Sequence, residues 1–410
     1  MKKPRGWPRE FPGVNWYDRQ EEQAALNVLR GKTPFRYYGV GKPRYVAAFE
    51  EEAKKFYGAK YALAVNSGTG ALMTAMTALG IGPGSEVIVP AFMWVSTVGA
   101  VVHANAIPVL CEIDDSLSMD PANLDRKITP RTRLIVPVHM AGAPCNMPAI
   151  MTVARKHRLP VLEDCAQANG ATFQGKRVGT FGQIGVYSLQ INKNISAGEG
   201  GLIVVDDEDL YLRLNSAHDV GAVWRDTGPV SDPRYTTWGT GRRMSELAGA
   251  VAWVQLRKLA RVVRHMKASK KRLKAMLEDA PNLTWRRLND TEGDTACCLT
   301  FFAPDRARAA RIVAAIREAG VFGASRLAEY GMHIYYNIPQ LVRKVPLSQA
   351  GNPWSLPQNA GSVREYGKGA CPASDALFER GVILSVPSTL TPAQEKTMAS
   401  IIKEAVQASS

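Results

Sequence analysis

Between residues 61 and 205 one pattern recurs: a largely apolar run of four or five residues, a turn, then an amphipathic segment of helical length. The apolar runs lie at 61–65, 86–90, 107–110, 134–138, 161–164, 185–188 and 202–205, with helices read over 71–79, 95–104, 121–128 and 147–157. Runs this short, apolar on both faces and separated by helices, predict an α/β fold: a mostly parallel sheet covered on both sides. Upstream, helices are expected over 20–29 and 43–56. Past Met244 the pattern changes to a long helix over 244–279, a strand over 298–302, a helix over 307–319, a stretch punctuated by Pro and Gly to Cys371, and a closing helix from Pro392. The expected organisation is an extended arm over 1–19, a large α/β domain over 20–252 and a smaller α+β domain over 253–410.

In such sheets a ligand sits beyond the carboxyl ends of the strands, and four segments there carry chemistry. Asn66-Ser67-Gly68-Thr69-Gly70 leads from a strand into a helix. Free amide groups, the positive end of the helix dipole and two hydroxyls make it a cradle for a phosphate. It has neither the Gly-Lys-Ser/Thr of a Walker loop nor the spacing of a dinucleotide fingerprint, and Ser67 or Thr69 also suits a plain helix cap. Glu163-Asp164 ends a buried strand, where a carboxylate can hold a proton on a pyridine nitrogen but also fits a cap or a metal ligand. Phe92-Met93-Trp94 offers a flat ring for stacking, or simply core. Lys193, between Ser188 and the turn Gly198-Glu199-Gly200-Gly201, is placed beside a buried sheet. Burial disfavours its ammonium form, which suits Schiff-base chemistry with an aldehyde. Together these four describe the needs of pyridoxal 5'-phosphate.

Composition narrows the alternatives. The 410 residues carry 51 Lys+Arg against 37 Asp+Glu, a formal charge of +14, but no aromatic-interleaved basic tract or nucleic-acid motif accompanies it. No nucleic acid partner is expected. The surplus fits an anionic small substrate instead. No run of about 18 apolar residues suggests a membrane span, and the basic start, Met1-Lys2-Lys3, has no apolar segment behind it. The six cysteines (111, 145, 165, 297, 298 and 371) show no paired spacing. Reduced thiols, no metal and a cytoplasmic location are expected.

From about Tyr37 to the end the chain resembles the sugar aminotransferases called DegT/DnrJ/EryC1/StrS, within fold type I of the pyridoxal phosphate-dependent transferases. The resemblance rests on Asn66-Ser67-Gly68-Thr69, the run 82–90, Thr129-Pro130-Arg131-Thr132, Val138-His139-Met140-Ala141-Gly142, the run 163–167, Asn192-Lys193 and Gly198-Glu199-Gly200-Gly201. It implies that Lys193 forms the Schiff base and later moves the proton, while Asp164 pairs with the pyridine nitrogen. It further implies that Gln167 meets the phenolic oxygen, Trp94 stacks on the ring, and Gly68, Thr69 and Ser188 hold the phosphate. Sugar 3-dehydratases of a sister branch carry histidine in place of the lysine, so Lys193 favours transamination.

Two departures stand out. Gly241 replaces an Asn that, in relatives, reaches the partner subunit's phosphate, with Arg242 as a substitute. Ser388 stands near a position where many relatives have histidine. The expected reaction transfers an amino group from L-glutamate or L-glutamine to an anionic, nucleotide-linked keto sugar, in a homodimer with shared active sites. A keto-cyclitol or an oxidised octulosonate-type sugar acid is the alternative acceptor. A cofactor-binding sensor without turnover is the alternative outside enzymes. Arg36, Arg44, Arg242 and Arg326 are candidates to meet the acceptor, and Tyr38, His333 and Tyr335, with Tyr336, to line its pocket. His139 and His218 are read as structural.

Overall fold

A computed structural model describes residues 8, 10–225, 228–230, 232–280, 283–321 and 323–409. The basic stretch 1–7 lies outside them. Helix α1 (Arg19–Gly31) starts at Asp18, which accepts from Gln20 N and exchanges bonds with Glu21 in a capping box. Helix α2 (Tyr45–Tyr57) has no cap of its own. Glu246, far along the chain, accepts from the backbone N–H groups of Arg44, Tyr45 and Val46 at 2.7–2.8 Å.

The large sheet contains β1 (Tyr61–Val65), β2 (Glu86–Pro90), β3 (Ile107–Cys111), β4 (Thr132–Ile135) and β5 (Leu162–Asp164). After a small hairpin of β6 (Thr172–Phe173) and β7 (Lys176–Arg177), β8 (Ile184–Ser188) and β9 (Gly201–Val205) complete it. The order β3-β2-β4 joins β5-β8-β9-β1 through parallel bridges Ile135–Val161 and Val138–Asp164. All pairings are parallel except those of β9, which runs antiparallel to both β1 and β8. Helices α3 (Gly68–Ala78), α4 (Val95–His103), α5 (Pro121–Lys127), α6 (Met147–Lys156) and α7 (Glu208–His218) connect or follow these strands. Helix α3 begins three residues before the expected start, because Ser67 caps it by accepting from Gly70 N at 2.9 Å. The segment 136–138 leaves the ladder as single bridges, so β4 is shorter than the apolar run suggested.

A hairpin of β10 (Val223–Arg225) and β11 (Gly228–Val230) precedes helix α8 (Glu246–Met276). That helix runs uninterrupted past the expected boundary at 252/253. Its residues to Met266 pack in the first core with Leu189 and Leu202, whereas Leu273 packs in a second core with Phe301 and Ile312. The change of core therefore falls inside the helix, between Met266 and Leu273. The second sheet has the order β12 (Thr284–Trp285), β13 (Cys298–Phe302), β15 (Gly381–Ser385), β14 (Ala324–Arg326), all antiparallel. It packs with α9 (Arg306–Glu318) and α12 (Pro392–Ala408).

Between β14 and α11 (Pro372–Arg380), the stretch punctuated by Pro and Gly returns to the first domain as short helical turns, including α10 (Pro339–Val342). Ile334 bridges Phe92, and Met93 N donates to His333 O at 3.0 Å. That return lays Tyr330 and His333 over the end of β2. Among the described residues, no helix is long and apolar enough to cross a membrane.

Candidate active site

The carboxyl ends of β1, β2, β5 and β8 open on a cavity of about 530 Å³. Its lining includes Gly68 and Thr69 from the start of α3, Trp94, Asp164, Gln167, Ser188, Lys193 and His333. Expected site residues from five separate stretches thus meet at one place. Asp164 is only 2% exposed. Its carboxylate accepts from Thr97 Oγ1 at 2.7 Å and from Ala166 N at 3.0 Å. Burial raises its pKa, and these donors and the nearby Lys193 charge pull the other way. A cationic nitrogen placed against it would stabilise the carboxylate further.

Lys193 stands in a turn, with its N–H donating to Gln190 O and its own carbonyl accepting from Gly13 N, both at 3.0 Å. Burial lowers its pKa below the usual lysine range, and the Asp164 charge partly offsets that. The turn is braced from behind. Ser196 N donates to Gln255, and Gln255 donates to the buried Glu21 at 2.7 Å. Asn194 donates to Asn169 O, and Asn169 to Ser188 O, each at 3.0 Å.

Gln167 accepts from Ala141 N through its amide oxygen at 3.1 Å, which leaves its NH₂ end to donate. Trp94 precedes α4 and is 37% exposed, so it is not core. Its ring lies 4.6 Å from that of His333, and His333 stacks on Tyr330 at 4.4 Å. Burial brings the His333 pKa down to about 4. A neutral imidazole near pH 7 packs as a ring rather than acting as a cation.

The cradle is shaped by missing side chains. A Cβ on Gly68 would come within 2.7 Å of Ser188 Cβ, and one on Gly201 within 2.4 Å of Ser67 O. The helix terminus therefore sits directly against the end of β8, with amides and hydroxyls facing the cavity. Ser67 caps the helix while its neighbours line the cavity, so the cap and the cradle coexist.

Glu163 and Asp164 are adjacent but have different jobs. Glu163 faces away and accepts from the backbone N–H groups of Gly179, Phe181 and Gly182 at 2.6–2.7 Å. His139, Glu163 and Cys165 offer donor atoms within 4.8 Å of one another. With Glu163 saturated by amides and His139 Nδ1 accepting from Cys145 N, the cluster reads as an internal brace. His218 is likewise enclosed, with its pKa lowered to about 3 by burial.

Several expected acceptor contacts lie elsewhere. Arg36 is paired with Glu50 at 2.8 Å and donates to Ala64 O. Arg326 is paired with Glu329 and faces Glu379. Tyr335 is buried and donates to Asp375 at 2.9 Å. Tyr38 is 64% exposed and packs on Phe35. Arg44 donates to Tyr45 Oη. None of these lines the cavity of this chain. Ion pairing claims Arg36 and Arg326, and core packing claims Tyr335, which charge counting along a sequence does not reveal. Arg242 stands outside, at the start of α3, against Met73 and without an ion pair among the described residues. Ser388 is buried and donates to Pro12 O at 2.8 Å, so it fastens the arm.

Two groups of lining residues escaped the sequence reading. Glu10 and Pro12 arrive from the arm, while Cys297, Cys298 and Tyr330 arrive from the second domain, beside Ser385 to Pro387 of the stretch 384–388 that the sequence reading tied to substrate recognition. Glu10 accepts from Ser385 Oγ at 3.0 Å. Only a tertiary arrangement joins segments this far apart.

The profile of the DegT/DnrJ/EryC1/StrS aminotransferase family matches residues 18–403. The chain belongs to that family. Pyridoxal 5'-phosphate is the family's cofactor, and the cradle, Asp164, the Gln167 amide and Lys193 fit it. GDP-perosamine synthase of Caulobacter vibrioides is 38% identical over 53% of this chain, which spans 57% of that relative. L-glutamine:2-deoxy-scyllo-inosose aminotransferase of Streptomyces fradiae is 33% identical over 71% of this chain and 68% of its own length. Among solved structures, 3-amino-5-hydroxybenzoic acid synthase superposes with a TM-score of 0.80 at 29% identity, covering 98% of this chain and 100% of that one.

Proposed function

We propose that this aminotransferase moves an amino group from L-glutamate or L-glutamine to the keto group of a sugar or sugar-like ring. The observation that carries the reading is the meeting of Lys193 and Asp164 in one cavity beside the amino terminus of α3. Pyridoxal phosphate supplies an aldehyde that takes up amines and a ring that accepts the electron pair left on the donor's α-carbon. Gly68, Thr69 and Ser188 would hold its phosphate, Trp94 would cover its ring, and Gln167 would donate to its phenolic oxygen. Asp164 keeps the ring nitrogen protonated by electrostatics. The Lys193 amine, held below its ordinary pKa, is free as a base at Nζ to take the α-proton of the donor and to return a proton in the second half-reaction.

The acceptor is a keto sugar, nucleotide-linked in the first reading, as the name of the GDP-perosamine relative supports. A second reading, a keto-cyclitol, draws support from Glu10. Its carboxylate and the Ser385 hydroxyl line the cavity and suit the hydroxyls of a neutral polyol. Arg242, against the start of α3 and outside the cavity lining of this chain, supports a homodimer in which that arginine serves the partner's site, and Val220 and Trp238 are exposed.

The test loads the protein with cofactor, adds L-glutamine or L-glutamate, and follows release of the corresponding 2-oxo acid. A panel of keto-cyclitols and nucleotide-linked keto sugars then completes the cycle. Turnover with one acceptor class assigns it. Bound cofactor with no oxo acid from either donor would instead favour the sensor.

A further inference from the structure

Cys297 and Cys298 are neighbours in sequence and both line the cavity. Consecutive strand residues usually point to opposite faces. Here β13 begins only at Cys298, after Ala296 takes a left-handed conformation with φ 65°. That turn brings both sulfurs together, with Sγ atoms 4.0 Å apart. The other four cysteines are buried, and none of them lines the cavity.

We propose that Cys297 and Cys298 form a dithiol site, open to the active-site cavity, that captures one trivalent arsenical. The spacing is too long for a disulfide, whose sulfurs lie about 2.05 Å apart. It suits a shared third atom: two bonds of about 2.3 Å, as in zinc–thiolate sites, separate their sulfurs by roughly 3.8 Å at a tetrahedral angle. Thiolates favour soft centres. Zinc would need two further ligands, and the nearby Asp294 is already held by Lys270 at 2.5 Å and by Ala296 N at 3.0 Å. Trivalent arsenic needs only two thiols, and its organic group has the cavity to occupy.

Geometry also favours reaction. Cys297 is partly exposed, whereas Cys298 is 8% exposed. The contact between the two sulfurs lets one thiol of the pair stabilise the other as a thiolate, the reactive form. An arsenoxide, R–As=O, would exchange its arsenic–oxygen bonds for two arsenic–sulfur bonds. Both thiol protons leave with the oxygen as water, and no oxidation state changes. The organic group would then stand in the cavity with Lys193, so capture and catalysis exclude each other. The capture itself is independent of the transaminase reading, and only its effect on turnover rests on it.

The test treats cofactor-loaded protein with equimolar phenylarsine oxide in excess 2-mercaptoethanol, which strips adducts held by a single thiol. Intact mass should show one arsenical per chain, mapping to the peptide that contains residues 297 and 298 and released by 2,3-dimercaptopropanol. Cys297→Ala and Cys298→Ala should each abolish the adduct, with circular dichroism checking the fold. Transamination should fall with adduct formation and return with the dithiol. No resistant adduct on the native protein, an adduct mapping elsewhere, or one that survives in either folded variant would overturn the proposal.

Discussion

Thr97 places its hydroxyl 2.7 Å from Asp164 Oδ2 inside the core, one turn into the helix that begins behind Trp94. The bond joins the helix after β2 to the end of β5, and so fixes the carboxylate proposed to face the cofactor nitrogen. Thr97→Val keeps the shape and removes the donor. The expected loss is about 1–3 kcal/mol of carboxylate stabilisation, read as a fall in turnover with cofactor still bound. Asp164→Asn should cost considerably more. Equal, near-normal rates in both variants would refute the pairing.

The neighbouring carboxylate should behave differently. Glu163 braces the loop at 179–182 through three backbone N–H groups. Glu163→Ala leaves the buried Gly179 N–H unpaired, at roughly 1–3 kcal/mol, and frees the half-buried N–H groups of Phe181 and Gly182. Denaturant unfolding should show a large loss of stability, whereas Asp164→Asn should show little. A stable Glu163→Ala protein would show that the loop finds other partners.

Much of this arrangement was legible in the sequence. Short apolar runs alternating with helices favour buried strands, and ligands gather at their carboxyl ends, so Gly68, Asp164 and Lys193 were singled out by local pattern and Ser188 by the family resemblance. The arginines were not, because the choice between an ion pair such as Arg36–Glu50 and a substrate contact depends on what folds against them. Glu10 and Tyr330 were invisible for the same reason: each reaches the cavity through long-range packing. The split of α8 between two cores was also hidden, since its periodicity is continuous across the change.

The arm offers a third test. A Cβ on Gly13 would meet Ile195 Cα and Ser196 N at 2.7 Å, backbone atoms that cannot swing aside. Gly13 has φ −69°, so alanine is acceptable to its own backbone. Gly13→Ala should lift the arm off the Lys193 turn, at a cost of about 1–3 kcal/mol typical of overpacking. Weaker cofactor retention on dialysis is expected. Unchanged retention and stability would mean that the arm yields without disturbing the turn.

His333 predicts a pH dependence. Its folded pKa of about 4 lies below the ordinary 6.5, so between these values the unfolded chain binds a proton that the folded chain refuses. Stability contributed by the neutral ring is therefore present above about pH 6.5 and lost as pH falls towards 4. His218 acts in the same direction. His333→Gln should remove only its own share, so the stability difference between native protein and variant should shrink as the pH is lowered from 7 to 4. A constant difference would contradict this.

Everything rests on where the cofactor attaches. Loading the protein with pyridoxal phosphate, reducing it with borohydride and mapping the labelled peptide asks that question directly. Label on Lys193, absent from Lys193→Ala, is the predicted result. Label on a different lysine of the native protein, or none at all, would contradict the account.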